Sequence, residues 1–372
     1  MPRYFALFVL SLLMLLSRQA FADVNIAIVA PLAGDFEVLG HELVSGAKIA
    51  VDEINNNGGL EGEKVNLVVI DDQCNDLLAV STAQMIAVNS SAKDKMNLVI
   101  GPFCQNALGD VAKTYAKAKI LEIIPTSVSD KEAAATPKSL IKMVGSSEQQ
   151  SLDFFKFYLK NFDNQRLALV YNSNNKEVVG VAAALQEEFH KAGKLIDFKS
   201  YNFSNYQKDY TQMAEDIVAD KTRVAVVLGG SKEVTRLAKA LRHEDKSLVL
   251  FVNRYQVQGR YFDDLGKLAE GTYFLSLPTL KDNTEFTETL VRMRLLGVEP
   301  RGLSVYSYSA VKLWAEMVEQ SNSYKFDKIM ASLPGKSFET TWGEISFKDG
   351  VPENPVNYGI YQFHDGEYTQ VY

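Results

Sequence analysis

Histidine and cysteine are scarce in this chain, four of the first and two of the second among 372, and their scarcity removes several enzyme classes. His41, His190, His243 and His364 stand singly and far apart, so no cluster with metal-ligand spacing forms and no metal site is expected. His41-Glu42 lacks the second histidine of a zinc-protease helix. Also missing are a Gly-x4-Gly-Lys-Ser/Thr phosphate loop, a Gly-x-Ser-x-Gly elbow and a Gly-x-Gly-x-x-Gly after a strand. The expectation is a protein that is not an enzyme and carries no cofactor. Basic residues are in deficit too, 39 Lys and Arg against 46 Asp and Glu, for a net charge of −7. Such a surface lacks the basic footprint that nucleic acid and anionic membranes require.

Long apolar runs are absent except at the start. Arg3 gives a short basic beginning, residues 4 to 16 are almost wholly apolar, and Ala20-Phe21-Ala22 matches a small-x-small cleavage pattern. The run is about thirteen residues, short of the roughly 20 that span a bilayer. It reads as a secretory signal cleaved after Ala22, with a retained anchor as the alternative. No cysteine lies at the cleavage point, which argues for a freely diffusing periplasmic protein. Removing 22 of the 372 residues leaves 350, enough for two domains. Both cysteines, Cys74 and Cys104, lie in the exported part, where an oxidising compartment makes a disulfide the default and a pair of unlinked buried thiols the alternative. A bridge would close a loop of roughly 31 residues, stabilising by about 3–4 kcal/mol.

What is present is an alternation of strands and helices. Val24 to Ala30 is a nearly continuous apolar run, as in a strand buried on both faces, and Leu43 to Ile54 carries helical spacing up to Gly58-Gly59. Strands at 64–71, 98–101 and 121–125 alternate with helices at 77–88 and 107–119, a right-handed βαβ series that winds into a parallel sheet. The pattern restarts after residue 145, with helices at 149–161, 178–192 and 232–243 and strands at 167–171, 222–229, 248–252 and 272–276. Two α/β lobes in tandem, with no Pro/Gly/Ser-rich linker between them, place a ligand cleft at the carboxyl ends of their strands. The loops after Ala30, Asp72, Gly101, Pro125, Tyr171, Gly230 and Val252 are expected to line it. Asp71-Asp72 reads as paired carboxylates or, more commonly, as a turn and helix cap.

The order Pro31-Leu-Ala-Gly34, Gly40, Gly46-Ala, Ile54-Asn55, Gly58-Gly59, Gly62, Asp71-Asp72-Gln-Cys74, Ile100-Gly101, Cys104 and Ile124-Pro125 resembles the leucine/isoleucine/valine-binding proteins of ABC importers. Ala168-Leu-Val-Tyr171, Leu228-Gly229-Gly230, Gly271, Tyr306-Ser-Tyr308-Ser-Ala310 and Gly343-x-Ile-x-Phe347 with Asp349-Gly350 continue the match nearly to the end. The resemblance implies the type I periplasmic binding protein fold, two doubly wound parallel-sheet lobes joined by a three-crossing hinge. Lobe 1 would be residues 24–145 plus 277–350, and lobe 2 residues 146–276 plus 351–372. It also implies a lobe-1 disulfide where Cys74 and Cys104 stand, a monomer, and docking on importer membrane subunits. An interaction protein or ligand sensor on the same fold is the alternative.

Carried over by position, the resemblance puts Phe103 and Gln105 in the first clamp and Thr126-Ser127-Val128 in the second, with Leu39 in the first loop. Lobe 2 would supply Asn175, Lys176, Ser231 and Tyr255. Three lobe-1 positions depart from the pattern, Leu39 for a tyrosine, Gln105 for a serine and Val128 for a hydroxyl residue. The lobe-2 acid expected to hold an ammonium is replaced by Asn253-Arg254-Tyr255-Gln256. With Arg254 and Lys176 gained, the expected ligand is an amino acid or related solute more polar, or more negatively charged, than leucine.

Overall fold

The computed structural model describes residues 24–89, 95–194, 197–204, 206–253, 261–276, 284–298, 300, 302–355 and 358–372. Its first sheet is parallel throughout, in the order β2-β1-β3-β4-β5. The strands are β1 (Val24–Ala30), β2 (Val65–Asp71), β3 (Met96–Ile100), β4 (Leu121–Ile124) and β5 (Leu140–Lys142). Helices α1 (Glu37–Asn56), α2 (Asp76–Val88), α3 (Leu108–Lys117) and α4 (Asp130–Ala135) connect them. β1 shows why its run has no polar face: Ile26 and Ile28 enter one core cluster while Ala27 and Val29 enter another on the opposite side.

After β5 the chain enters the second sheet through α5 (Ser147–Phe162). There β6 (Leu167–Asn172), β7 (Phe198–Phe203), β8 (Val224–Leu228), β9 (Val249–Val252) and β10 (Tyr273–Ser276) alternate with α6 (Lys176–Lys191), α7 (Thr211–Ala219), α8 (Ser231–Glu244) and the short α9 (Tyr261–Leu265). The chain then returns to the first lobe as α10 (Thr284–Leu295), α11 (Leu303–Ser321) and α12 (Phe326–Ser332), followed by a small antiparallel sheet of β11 (Ser337–Thr340), β12 (Gly343–Lys348) and β13 (Val351–Pro352). A third passage delivers β14 (Gly359–His364) and β15 (Glu367–Gln370) to the second sheet, whose order is β15-β14-β10-β9-β8-β6-β7. Setting aside the antiparallel β14 and β15, this repeats the winding of the first sheet strand for strand. Each lobe therefore has a switch point, between β1 and β3 and between β6 and β8, where a crevice opens at the carboxyl ends.

Two glycines let α1 approach its neighbours closely, Gly46 toward α11 and Gly40 toward the loop after β1. A Cβ on Gly46 would stand 1.8 Å from the Ser304 carbonyl oxygen, and one on Gly40 would stand 1.7 Å from that of Pro31. The second contact seats the start of α1 on the loop leaving β1.

Candidate ligand-binding site

At the first switch point the acidic pair proves to be a turn. The Asp71 carboxylate accepts from the Leu32 and Gln73 amides at 2.8 and 2.9 Å, and that of Asp72 accepts from Cys74 N at 3.1 Å. Asn75 then caps α2 through the amides of Leu77 and Leu78. Cys74 and Cys104 form a disulfide with a Cα–Cα distance of 5.2 Å. Since β1 lies between β2 and β3, the bridge ties the two loops flanking the carboxyl end of β1.

The lobe-1 candidates divide into core and seam. Leu39 and Phe103, each 6% exposed, pack in the first lobe's core, and Val128 is buried beneath α4 with Leu108, Ile124 and Leu140. Gln105 Nε2 donates to Thr126 Oγ1 at 2.8 Å. Ser127, 1% exposed, accepts through Oγ from Gln150 Nε2 at 2.7 Å, joining lobe 1 to α5. Gln150 also lies 3.4 Å from the Tyr358 hydroxyl, which donates to the Gly145 carbonyl at 3.2 Å. Asp153 closes the seam, accepting from Tyr358 N at 3.1 Å and from Gln149 Nε2 at 2.8 Å.

In lobe 2, Asn175 caps α6 through Val178 N at 3.2 Å, Ser231 is the first residue of α8, and Asn253 Nδ2 donates to the Gly229 carbonyl at 3.2 Å. Lys176 is the first residue of α6, its side chain lying outside the described residues, as do Arg254, Tyr255 and Gln256. A narrow cavity of ≈ 60 Å³ opens here at the carboxyl ends of β6, β8 and β9. Half-buried Phe36, Gln150, Asn175 and Asn253 line it together with buried Phe154, Leu185, Val226 and Phe251. Phe36 reaches it from lobe 1, its ring 5.8 Å from that of Phe103, so Phe103 serves as its support. No charged side chain lines this cavity among the described residues. Its lining joins half-buried amides to mainly aliphatic and aromatic buried side chains, with buried Ser151 among them, while Arg254 and the Lys176 side chain, on which the expectation of a more polar ligand rests, lie outside the described residues. Of the ligand candidates whose side chains are among the described residues, only Asn175 lines it. Phe36, Gln150 and Phe154, which the sequence reading does not name, also line it, and an aromatic residue in the loop after β1 is a usable signal for the first of them.

Two lobes of identical winding, three passages between them and a cavity at the facing switch points define a two-lobed solute-binding protein of the type I periplasmic binding fold. The chain belongs to the periplasmic binding protein family, whose profile matches residues 23–366. Membership makes it a binding protein and not an enzyme. The Leu/Ile/Val-binding protein BraC3 of Rhizobium johnstonii is 24% identical over 351 residues, covering 94% of both chains. The structure of the leucine-binding protein LivK of Thermotoga maritima matches with a TM-score of 0.81 at 18% identity, over 94% of this chain and 98% of that one. A solute-binding protein of R. palustris in complex with benzoate matches at 0.78 with 15% identity, over 94% and 95%.

Proposed function

We propose that this chain is the periplasmic receptor of an ABC importer, and that its cleft takes an amino acid or a related small carboxylate with an aliphatic or aromatic body. The observation that carries the reading is the mainly apolar cavity of lobe 2, whose lining also offers side-chain amides. At about 10–15 Å³ per water-sized sphere, ≈ 60 Å³ has room for roughly four to six such spheres, the scale of a branched four-carbon chain. The names of the relatives and the benzoate-bound neighbour agree in kind, since each such ligand joins a carboxylate to an apolar body.

In this reading the apolar body enters between Phe154, Val178 and Phe251. The charged end stays at the seam, where Gln105, Thr126, Ser127, Asn175 and Ser231 offer hydroxyls, amides and backbone groups. Charges taken from water need such charge-assisted hydrogen bonds. The amide oxygens of Gln150 and Asn253, which line the cavity, would accept from an ammonium in place of an acid. Solute touching both walls favours closure only by the contacts it adds in the closed state. The monomer, released by cleavage after Ala22, would then dock on importer membrane subunits with one surface from each lobe.

Mass spectrometry of small molecules released on denaturing the purified protein is expected to yield a compound of this class. Refolded ligand-free protein should then gain about 2.7 kcal/mol at a hundredfold Kd of it. Release of only multiply charged solutes, with no thermal response to leucine, isoleucine, valine or phenylalanine, would overturn the reading.

A further inference from the structure

A second cavity, 490 Å³ in volume, lies away from the cleft, walled by α4, β5, the start of α5 and β13. β5 alternates across its sheet, Ile141 entering the main lobe-1 core while Leu140 packs on the α4 side with Val128 and Ile124. Lys142 shares the face of Leu140 and lines the cavity, only 5% exposed. Among the described residues its ammonium makes no hydrogen bond or ion pair, and burial pulls it below the usual lysine range while Glu122 on β4 works the other way. Glu122, the acid that acts on it, is buried with both oxygens lacking hydrogen-bond partners, and burial holds it well above the usual carboxylate range against the pull of Lys142. At the rim Asp349 is engaged by Lys138 at 2.8 Å, and Asp130 is exposed to solvent.

Ser146 and Gln149, at the N-terminus of the sixteen-residue α5, line the same cavity. Ser146 caps that first turn through the Gln149 amide and Glu148 is its one acid, and the positive end of the helix lies beside the cavity that Lys142 lines. Val128, Ala133 and Pro355 make the flanking wall apolar. We propose that this cavity is a binding site for a small oxyanion, a carboxylate or a phosphate, held by Lys142 and the first turn of α5. The site draws on the first and third passages between the lobes, through Gly145 and Pro355, and is independent of what the cleft binds.

The test is a thermal melt of the full chain at constant ionic strength, titrated separately with inorganic phosphate and with acetate, chloride serving as reference. A saturable rise of about 2–4 °C is expected for at least one anion, and the anion that produces it assigns the chemistry. Lys142→Met removes the cation and Ala133→Phe fills the space without touching the charge. Both are expected to keep a cooperative melt and a native circular dichroism spectrum while losing the rise. No saturable rise with either anion, or an undiminished rise in a folded Lys142→Met protein, would overturn the proposal.

Discussion

The two lobes wind five strands in the same order, yet they are held together by different means. Lobe 1 relies on covalent and backbone constraint: a disulfide across its switch point, and an α1–α11 contact so close that Gly46 has no room for a Cβ. Lobe 2 has no cysteine and relies on rings. Phe251 sits 4.8 Å from both Phe154 and Tyr273, and Phe157 lies 5.7 Å from Phe251. The polar loops of lobe 1 satisfy one another, as Gln105 does Thr126, whereas lobe 2 leaves an apolar hollow beside its ring cluster. One half thus presents a hydrogen-bonded polar wall, and the other holds the apolar hollow.

The largest effect that separates the lobes is expected from Phe251→Ala. Removing this ring from its stacked and edge-on partners should cost about 3–5 kcal/mol, and hydrogen exchange should place the loss in lobe 2. Cys104→Ser should cost about 3–4 kcal/mol through the freed loop, with faster exchange confined to the loops after β2 and β3. Were either substitution to loosen both lobes equally, the division of labour would be wrong.

A pH effect follows from Glu122, whose carboxyl is raised above the ordinary 4.5 by burial, with Lys142 working the other way. The folded state holds a proton that the unfolded chain releases near that value. Its contribution to stability is therefore complete below pH 4.5 and lost as pH rises through the folded value. Glu122→Gln keeps the neutral form at every pH, so it should be as stable as the parent in acid and more stable at pH 7, as denaturant titrations at the two values would reveal. The smallest effect is at the seam. Gln150→Ala deletes a side-chain bond between lobes and should cost about 1 kcal/mol, with a larger proportional loss in ligand affinity than in melting temperature.

Most strands were legible because buried parallel strands are written as unbroken apolar runs, and β1, β6, β8 and β9 each fall within two residues of the sequence reading. β7 and α7 were not read. Phe198–Phe203 is an edge strand whose Lys199, Ser200 and Asn202 face solvent, so its apolar signal is diluted. β5 is three residues long and α4 six, too short for periodicity. The site was less legible for a physical reason. Phe154 and Val178 lie on helix faces that also build the core, and spacing cannot distinguish a side chain packed against a neighbour from one beside a hollow. Leu39, Phe103 and Val128 are the converse, positions in cleft loops whose side chains turn inward.

The most direct test of the account is calorimetric titration of refolded, ligand-free protein with leucine and phenylalanine against aspartate and lysine, repeated on Val181→Phe, which narrows the lobe-2 hollow. The account predicts one-to-one binding of an apolar amino acid, lost or at least tenfold weaker in a folded Val181→Phe protein. Binding of aspartate or lysine alone, unchanged by that substitution, would contradict it.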